Sequence, residues 1–127
     1  MKEVIAEEPA REEIKSWKDF FNANIGEEEI QQLLPSVKMG RIVLDQEEEV
    51  FHCELRKPIK KENGEMITRV TIGEPTTAQI RAAGKKGDEF GVALELLSSC
   101  SELPLGLVNR IKQRDFLMLA GVMGFFA

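Results

Sequence analysis

Apolar and polar positions along the chain follow two periods, and the change from one to the other divides it. Glu8-Pro9 opens the first helical pattern, since proline suits the first turn of a helix. Ile14, Trp17 and Phe21 then recur at helical spacing with Phe20 beside them, which predicts one apolar stripe. Asn24-Ile25-Gly26 reads as a helix stop. A second helix is predicted over Glu27–Leu34, with Ile30, Leu33 and Leu34 on one face; Pro35 is expected to end it, and Ser36–Gly40 to form a linker.

From residue 41 the period falls to two. Arg41–Leu44 is a short β-rich run. In Val50–Leu55, Phe51, Cys53 and Leu55 form an apolar face, with Val50, His52 and Glu54 on the other side. Asn63-Gly64 is a strong hairpin signal, and Met66–Ile72 alternates again. An antiparallel hairpin of 50–59 with 66–72 is predicted, to which 41–45 adds a third strand.

The helical period then returns. Thr76 and Gln79 fit a capping box for a short helix that stops near Gly84. Asp88 is placed to cap a longer helix in which Phe90, Ala93, Leu94 and Leu97 share a face that Val92 and Leu96 widen. Apolar on more than half its circumference, this helix is expected at the centre of the fold. Pro104 begins another short helix through about Ile111, and Asp115 is read as the cap of a last one, Phe116 to Phe126. The fold class is α+β: a hairpin or three-stranded antiparallel sheet followed by a small C-terminal helical bundle, with an N-terminal helical arm.

Charge sharpens the division. The net charge of −5 hides six basic and thirteen acidic residues in positions 1–50, net −7, against eleven and nine in 51–127, net +2. From Phe116 to Ala127 no residue is charged. Residues 1–40 are therefore read as an acidic helical arm and 41–127 as the main domain. The acidic opening, interrupted by Pro9, is unlike a secretory signal. The uncharged end is too short for a membrane span, which takes about 20 apolar residues. Two cysteines, Cys53 and Cys100, are too few for a disulfide scaffold, and a reduced, cytoplasmic setting is expected.

Candidate chemistry is sparse. His52 and Cys53 are strand neighbours that point to opposite faces, and there is no second histidine to complete a zinc set. A Cys–His nucleophile would need Cys100 carried to His52 by the fold, and nothing in the spacing asks for that. Gly84, Gly87 and Gly91 lack the strand and the Gly-Lys-Ser/Thr of a phosphate loop. Glu27–Glu29 and Glu47–Glu49 lack the spacing of a calcium loop and read as solvated faces. Arg56, Lys57, Lys60 and Lys61 are diluted by Pro58 and Glu62, which argues against nucleic-acid binding. No enzyme activity, cofactor or metal is expected.

The order of short motifs in the second part is more informative. Leu55-Arg56-Lys57-Pro58-Ile59, the Asn63-Gly64 turn, Ile67–Ile72 and Glu74-Pro75-Thr76-Thr77-Ala78-Gln79-Ile80 follow one another. After them come the leucine-rich Ala93–Leu97, Leu103-Pro104, and Asp115-Phe116 leading a closing apolar helix to Phe125. This succession, over roughly residues 50–126, resembles the tail assembly chaperones of Mu-like and related contractile-tailed phages. The resemblance implies a protein without catalysis that binds the long helical tape measure protein in the bacterial host cytoplasm. It would keep that protein soluble while tail tube protein polymerises around it. It also implies self-association, and in many cases a second, longer form made by ribosomal frameshifting. A structural or adaptor component of a phage-like particle is the alternative reading.

The closing helix is the candidate contact. Phe116, Leu117, Leu119, Val122, Met123, Phe125 and Phe126 offer more apolar surface than a small core readily covers. Met118 and Met123 suit an adaptable contact, while Gly121 and Gly124 each lower helix propensity by about 1 kcal/mol relative to alanine. Such a helix could lie in a groove of a partner or complete the core of its own chain.

Overall fold

A computed structural model describes residues 5–126. Residues 1–4, which begin the acidic opening, and Ala127, the last of the uncharged run, lie outside them. The chain is α+β. Helices α1 (Glu7–Phe21) and α2 (Glu27–Lys38) precede strands β1 (Ile42–Asp45), β2 (Val50–Lys60) and β3 (Met66–Ile72). Helices α3 (Thr77–Gly84), α4 (Glu89–Ser101), α5 (Leu105–Val108) and α6 (Gln113–Met123) follow, and a 3-10 turn over Gly124–Phe126 closes the described chain. The strands form one antiparallel sheet in the order β1-β2-β3.

The predicted faces of β2 are the observed ones. Phe51, Cys53 and Leu55 are buried with Ile42, Val70 and Ile72, while Val43 and Arg69 are exposed; the alternation of β3 fails at Thr68, which is exposed beside Arg69. The hairpin turn is built as expected around Asn63-Gly64. Gly64 donates its N–H to the Lys61 carbonyl at 3.0 Å and takes φ +90°, and Lys61 N–H pairs with Glu65 O at 2.8 Å. A turn followed by glycine at positive φ is one of the common hairpin connections, and only glycine enters that conformation without strain.

The core is centred on rings. Trp17 of α1 meets Phe51 of β2 edge-on at 5.3 Å and Phe125 at 6.0 Å, and Phe51 lies 5.2 Å from Phe125. Ala10, Ile14 and Trp17 of α1 and Ile30, Leu33, Leu34 and Val37 of α2 belong to the same buried cluster as the strands and α6. The acidic helices expected to stand apart as an arm are therefore wedged into the common core. Gly121 of α6 allows the closest approach, since a Cβ there would come within 2.9 Å of Leu33 Cδ2. A glycine that weakens the helix thus serves its packing.

Four local expectations are corrected. Pro35 does not end α2, which runs on to Lys38 and turns the expected linker into helix. A proline inside a helix costs about 3 kcal/mol. Burying Val37 beyond it returns about 1.5–3 kcal/mol, and Met39 N–H still reaches Pro35 O at 3.2 Å. Helix α4 packs on β3 but is not enclosed: of its side chains only Leu97 and Cys100 are buried. Helix α5 ends at Val108, and Arg110 and Ile111 continue it only as turns bonded to Leu107 O and Val108 O. Asp115 does not cap α6, which begins two residues earlier after Lys112. The capping boxes fare better: Thr76 and Gln79 bond reciprocally at 2.9 and 3.1 Å, and Asp88 accepts from Gly91 N–H at 3.0 Å.

Candidate interaction surface

Strand β2 carries more residues than β3 can pair. Phe51 to Glu54 are paired with Ile72 to Arg69 in regular register, and pairing resumes at Ile59 with Ile67. Leu55, Arg56, Lys57 and Pro58 thus stand against Thr68 alone, a wide bulge. Proline has no N–H to give a ladder, so its presence in a long strand fits an interruption. The bulge leaves backbone N–H groups turned from the sheet, and such groups must find acceptors.

Asp115 supplies them. Its Oδ1 accepts from Arg56 N–H at 3.0 Å and its Oδ2 from Lys57 N–H at 2.9 Å. The residue is only 3% exposed. An ionised carboxylate makes charge-assisted bonds stronger than neutral ones, and here it joins the first turn of α6 to the middle of β2. Arg110 Nη1 adds a second tie, 2.7 Å from the Lys60 carbonyl. The motif Arg-Lys-Pro-Ile and the aspartate before the closing helix, far apart in sequence, are two halves of one latch. Periodicity could not pair them, because their contact spans nearly sixty residues.

The latch fixes which way α6 faces. Met118, Leu119, Val122 and Phe125 are buried. Of the residues expected to contact a partner, Leu119, Val122 and Phe125 are core, whereas Phe116, Met123 and Phe126 are half-buried. Leu117 is 55% exposed. Beside it, Phe90 of α4 is 61% exposed and leans on Phe116, with ring centroids 5.5 Å apart. Phe90, Leu94, Val108, Ile111, Phe116 and Leu117 line an open groove between α4, α5 and α6. Sequence reasoning placed Phe90 and Leu94 in the core; the apolar count of α4 was right, but its neighbours cover too little of it.

On its other side Leu117 borders a second groove, walled by Pro35, Met39, Arg41, Arg56 and Arg114. Arg56, Lys57, Lys112 and Arg114 also gather around Leu117. Leu117 thus sits on a ridge between an apolar groove and a basic one.

The groups weighed for catalysis are placed differently. His52 is half-buried on the outer face of the sheet, its Nδ1 2.9 Å from Thr71 Oγ1 and its Nε2 3.7 Å from Asp45 Oδ2. Cys53 lies on the opposite, inner face, where burial pushes its thiol up to about 12. Burial also raises Cys100. Thiols held protonated are poor nucleophiles and poor metal ligands. Among the described residues no group of three or more His, Cys, Asp or Glu side chains is placed to hold a metal ion, and no helix is long and apolar enough to cross a membrane.

A family model described as phage tail assembly chaperone proteins, E, or 41 or 14, matches residues 52–127, which takes in the bulge, the latch and the apolar groove. No curated protein and no solved structure matches the chain. The chain belongs to this phage tail assembly chaperone family.

Proposed function

We propose that this tail assembly chaperone binds the tape measure protein through the apolar groove between α4, α5 and α6, and keeps it soluble while the tail tube assembles around it. The observation that carries the reading is the exposure of Phe90 and Leu117 beside half-buried Leu94 and Phe116. A groove of this kind suits the apolar stripe of an amphipathic helix, whose anchors recur every three to four residues. Large exposed aromatic and aliphatic side chains on an otherwise charged surface mark contact sites. The role is one of binding, without catalysis or cofactor, in the host cytoplasm where tails are built. The tail tube protein would displace the chaperone as it polymerises.

Co-expression tests this. With the chaperone present, the tape measure protein encoded alongside it is expected in the soluble fraction and to copurify with the chaperone. A tape measure protein equally soluble alone, or one that never copurifies, would overturn the reading.

A further inference from the structure

Four cations gather at the start of α6 without a counter-charge. Arg56, Lys57, Lys112 and Arg114 are exposed and line one open basin with Leu117, and among the described residues no carboxylate pairs with any of them. Asp115, the acid beside them, has both oxygens committed to backbone N–H groups. Lys112 is the N-cap of α6 and Arg114 lies in its first turn. The positive end of a helix dipole disfavours cations at these positions. Helices α1, α2 and α4 obey that preference, opening on Glu7 and Glu8, on Glu27–Glu29 and on Glu89. A local rule broken in this way, on a chain of net charge −5, is expected where a site needs it broken.

The basin is not separate from the apolar groove. Gln113 and Leu117 line both, so the two form one continuous trough. A helix laid on Phe90 and Leu117 therefore brings the side chains beside its apolar stripe over the cations. Carboxylates there would meet charges that otherwise repel one another, whereas lysines or arginines would add to the repulsion.

We infer that the basin reads carboxylates on the bound helix, so that the segment this surface accepts is an acidic amphipathic helix, with Asp or Glu flanking its apolar anchors on the Leu117 side. The inference rests on the helix-binding role proposed for the apolar groove and adds to it the charge that selects among helices. Apolar anchors give affinity for any helix with the right spacing. The cations discriminate, because like charges brought together across an interface suppress wrong partners. Exposed charges are screened, so the discrimination weakens as salt rises.

Overlapping peptides that span the tape measure protein encoded alongside, each long enough to form a helix, test this against the whole chain by biolayer interferometry at low salt. The peptides that bind the native chain are expected to carry net negative charge beside an apolar stripe. Lys112→Glu/Arg114→Glu is expected to bind them about tenfold or more weakly. Acidic residues at a helix N-terminus are favourable, so α6 keeps its fold in this variant. Lys15→Glu/Lys85→Glu makes the same change of net charge on exposed residues that line neither part of the trough, and is expected to bind like the native chain. Bound peptides of neutral or positive charge, a charge-reversed chain that binds as tightly as the native one, or an equal loss in Lys15→Glu/Lys85→Glu would each overturn the inference. Phe90→Ser separates the two readings, since it should release the peptides with the basin intact. Peptides that leave Phe90→Ser but hold to the charge-reversed chain would overturn this inference alone. Peptides that hold to Phe90→Ser, or a native chain that binds none, would overturn the groove assignment and this inference with it. Circular dichroism matching the native chain is expected for every variant; should Lys112→Glu/Arg114→Glu be unfolded, Lys112→Gln/Arg114→Gln repeats the test with the same outcomes.

Discussion

Helices α1 and α4 are both amphipathic by sequence, yet they end in different situations. The apolar stripe of α1 is consumed: Ala10, Ile14 and Trp17 are buried, and most of what faces water is polar or charged. The apolar surface of α4 is not: Val92, Leu94 and Leu96 are half-buried and Phe90 is exposed. Helix α1 lies outside the region matched by the family, and α4 lies within it. The difference separates two roles for apolar residues. The added N-terminal helices finish a core, while the family region keeps apolar surface open for contacts outside the chain.

The comparison breaks most severely at Trp17. Trp17→Ala removes a ring that touches Phe51 and Phe125, and should lower stability by about 3–5 kcal/mol in a denaturant titration. If α1 were a dispensable arm, the loss would be near zero. Truncation after Asp115 is expected to unfold the chain for the same reason, since it deletes Leu119, Val122 and Phe125 from the core.

The latch comes next. Asp115→Ala strands the N–H groups of Arg56 and Lys57 and should cost about 2–3 kcal/mol. Asp115→Asn keeps one good acceptor and should lose less. Equal losses for the two variants would show that the carboxylate is not what holds the bulge. Gly64→Val forces a β-branched residue to φ +90° and should cost about 1–2 kcal/mol, read as a lower melting temperature.

The smallest effect concerns the join of α1 to α2. Arg11 Nη1 lies 2.7 Å from Glu27 Oε1, and this bond, followed by that from Gln31, holds the Glu27 carboxyl below its usual range. A carboxyl lowered on folding adds stability above its unfolded pKa, and that stability is lost as pH falls through its folded value. Glu27→Gln should therefore flatten the acid limb of the stability profile slightly and leave stability at high salt unchanged. An unaltered acid limb would mean that the pair contributes nothing.

Much of the fold was legible where one physical signal decides the outcome. The alternation of Phe51, Cys53 and Leu55, the Asn63-Gly64 turn and the Thr76–Gln79 box are local, and each is observed as read. What was not legible depends on competition between distant parts. Pro35 signals a helix end, but the core pulls Val37 inward beyond it. The width of the apolar face of α4 signals a centre, but its neighbours bury only Leu97 and Cys100 of it. Asp115 before an apolar run signals a cap, but the unpaired bulge competes for the same carboxylate. The orientation of the closing helix was not legible: its sequence could not say that Leu119 and Phe125 face inward while Leu117 faces out.

The most direct test of the central claim is recovery of the tape measure protein on the double variant Phe90→Ser/Leu117→Ser. Both side chains are exposed, so the variant is expected to melt within a few degrees of the native chain, a change of about 0.5 kcal/mol or less. It should nonetheless fail to copurify the tape measure protein or keep it soluble. A variant that recovers as much tape measure protein as the native chain would contradict the assignment of this surface.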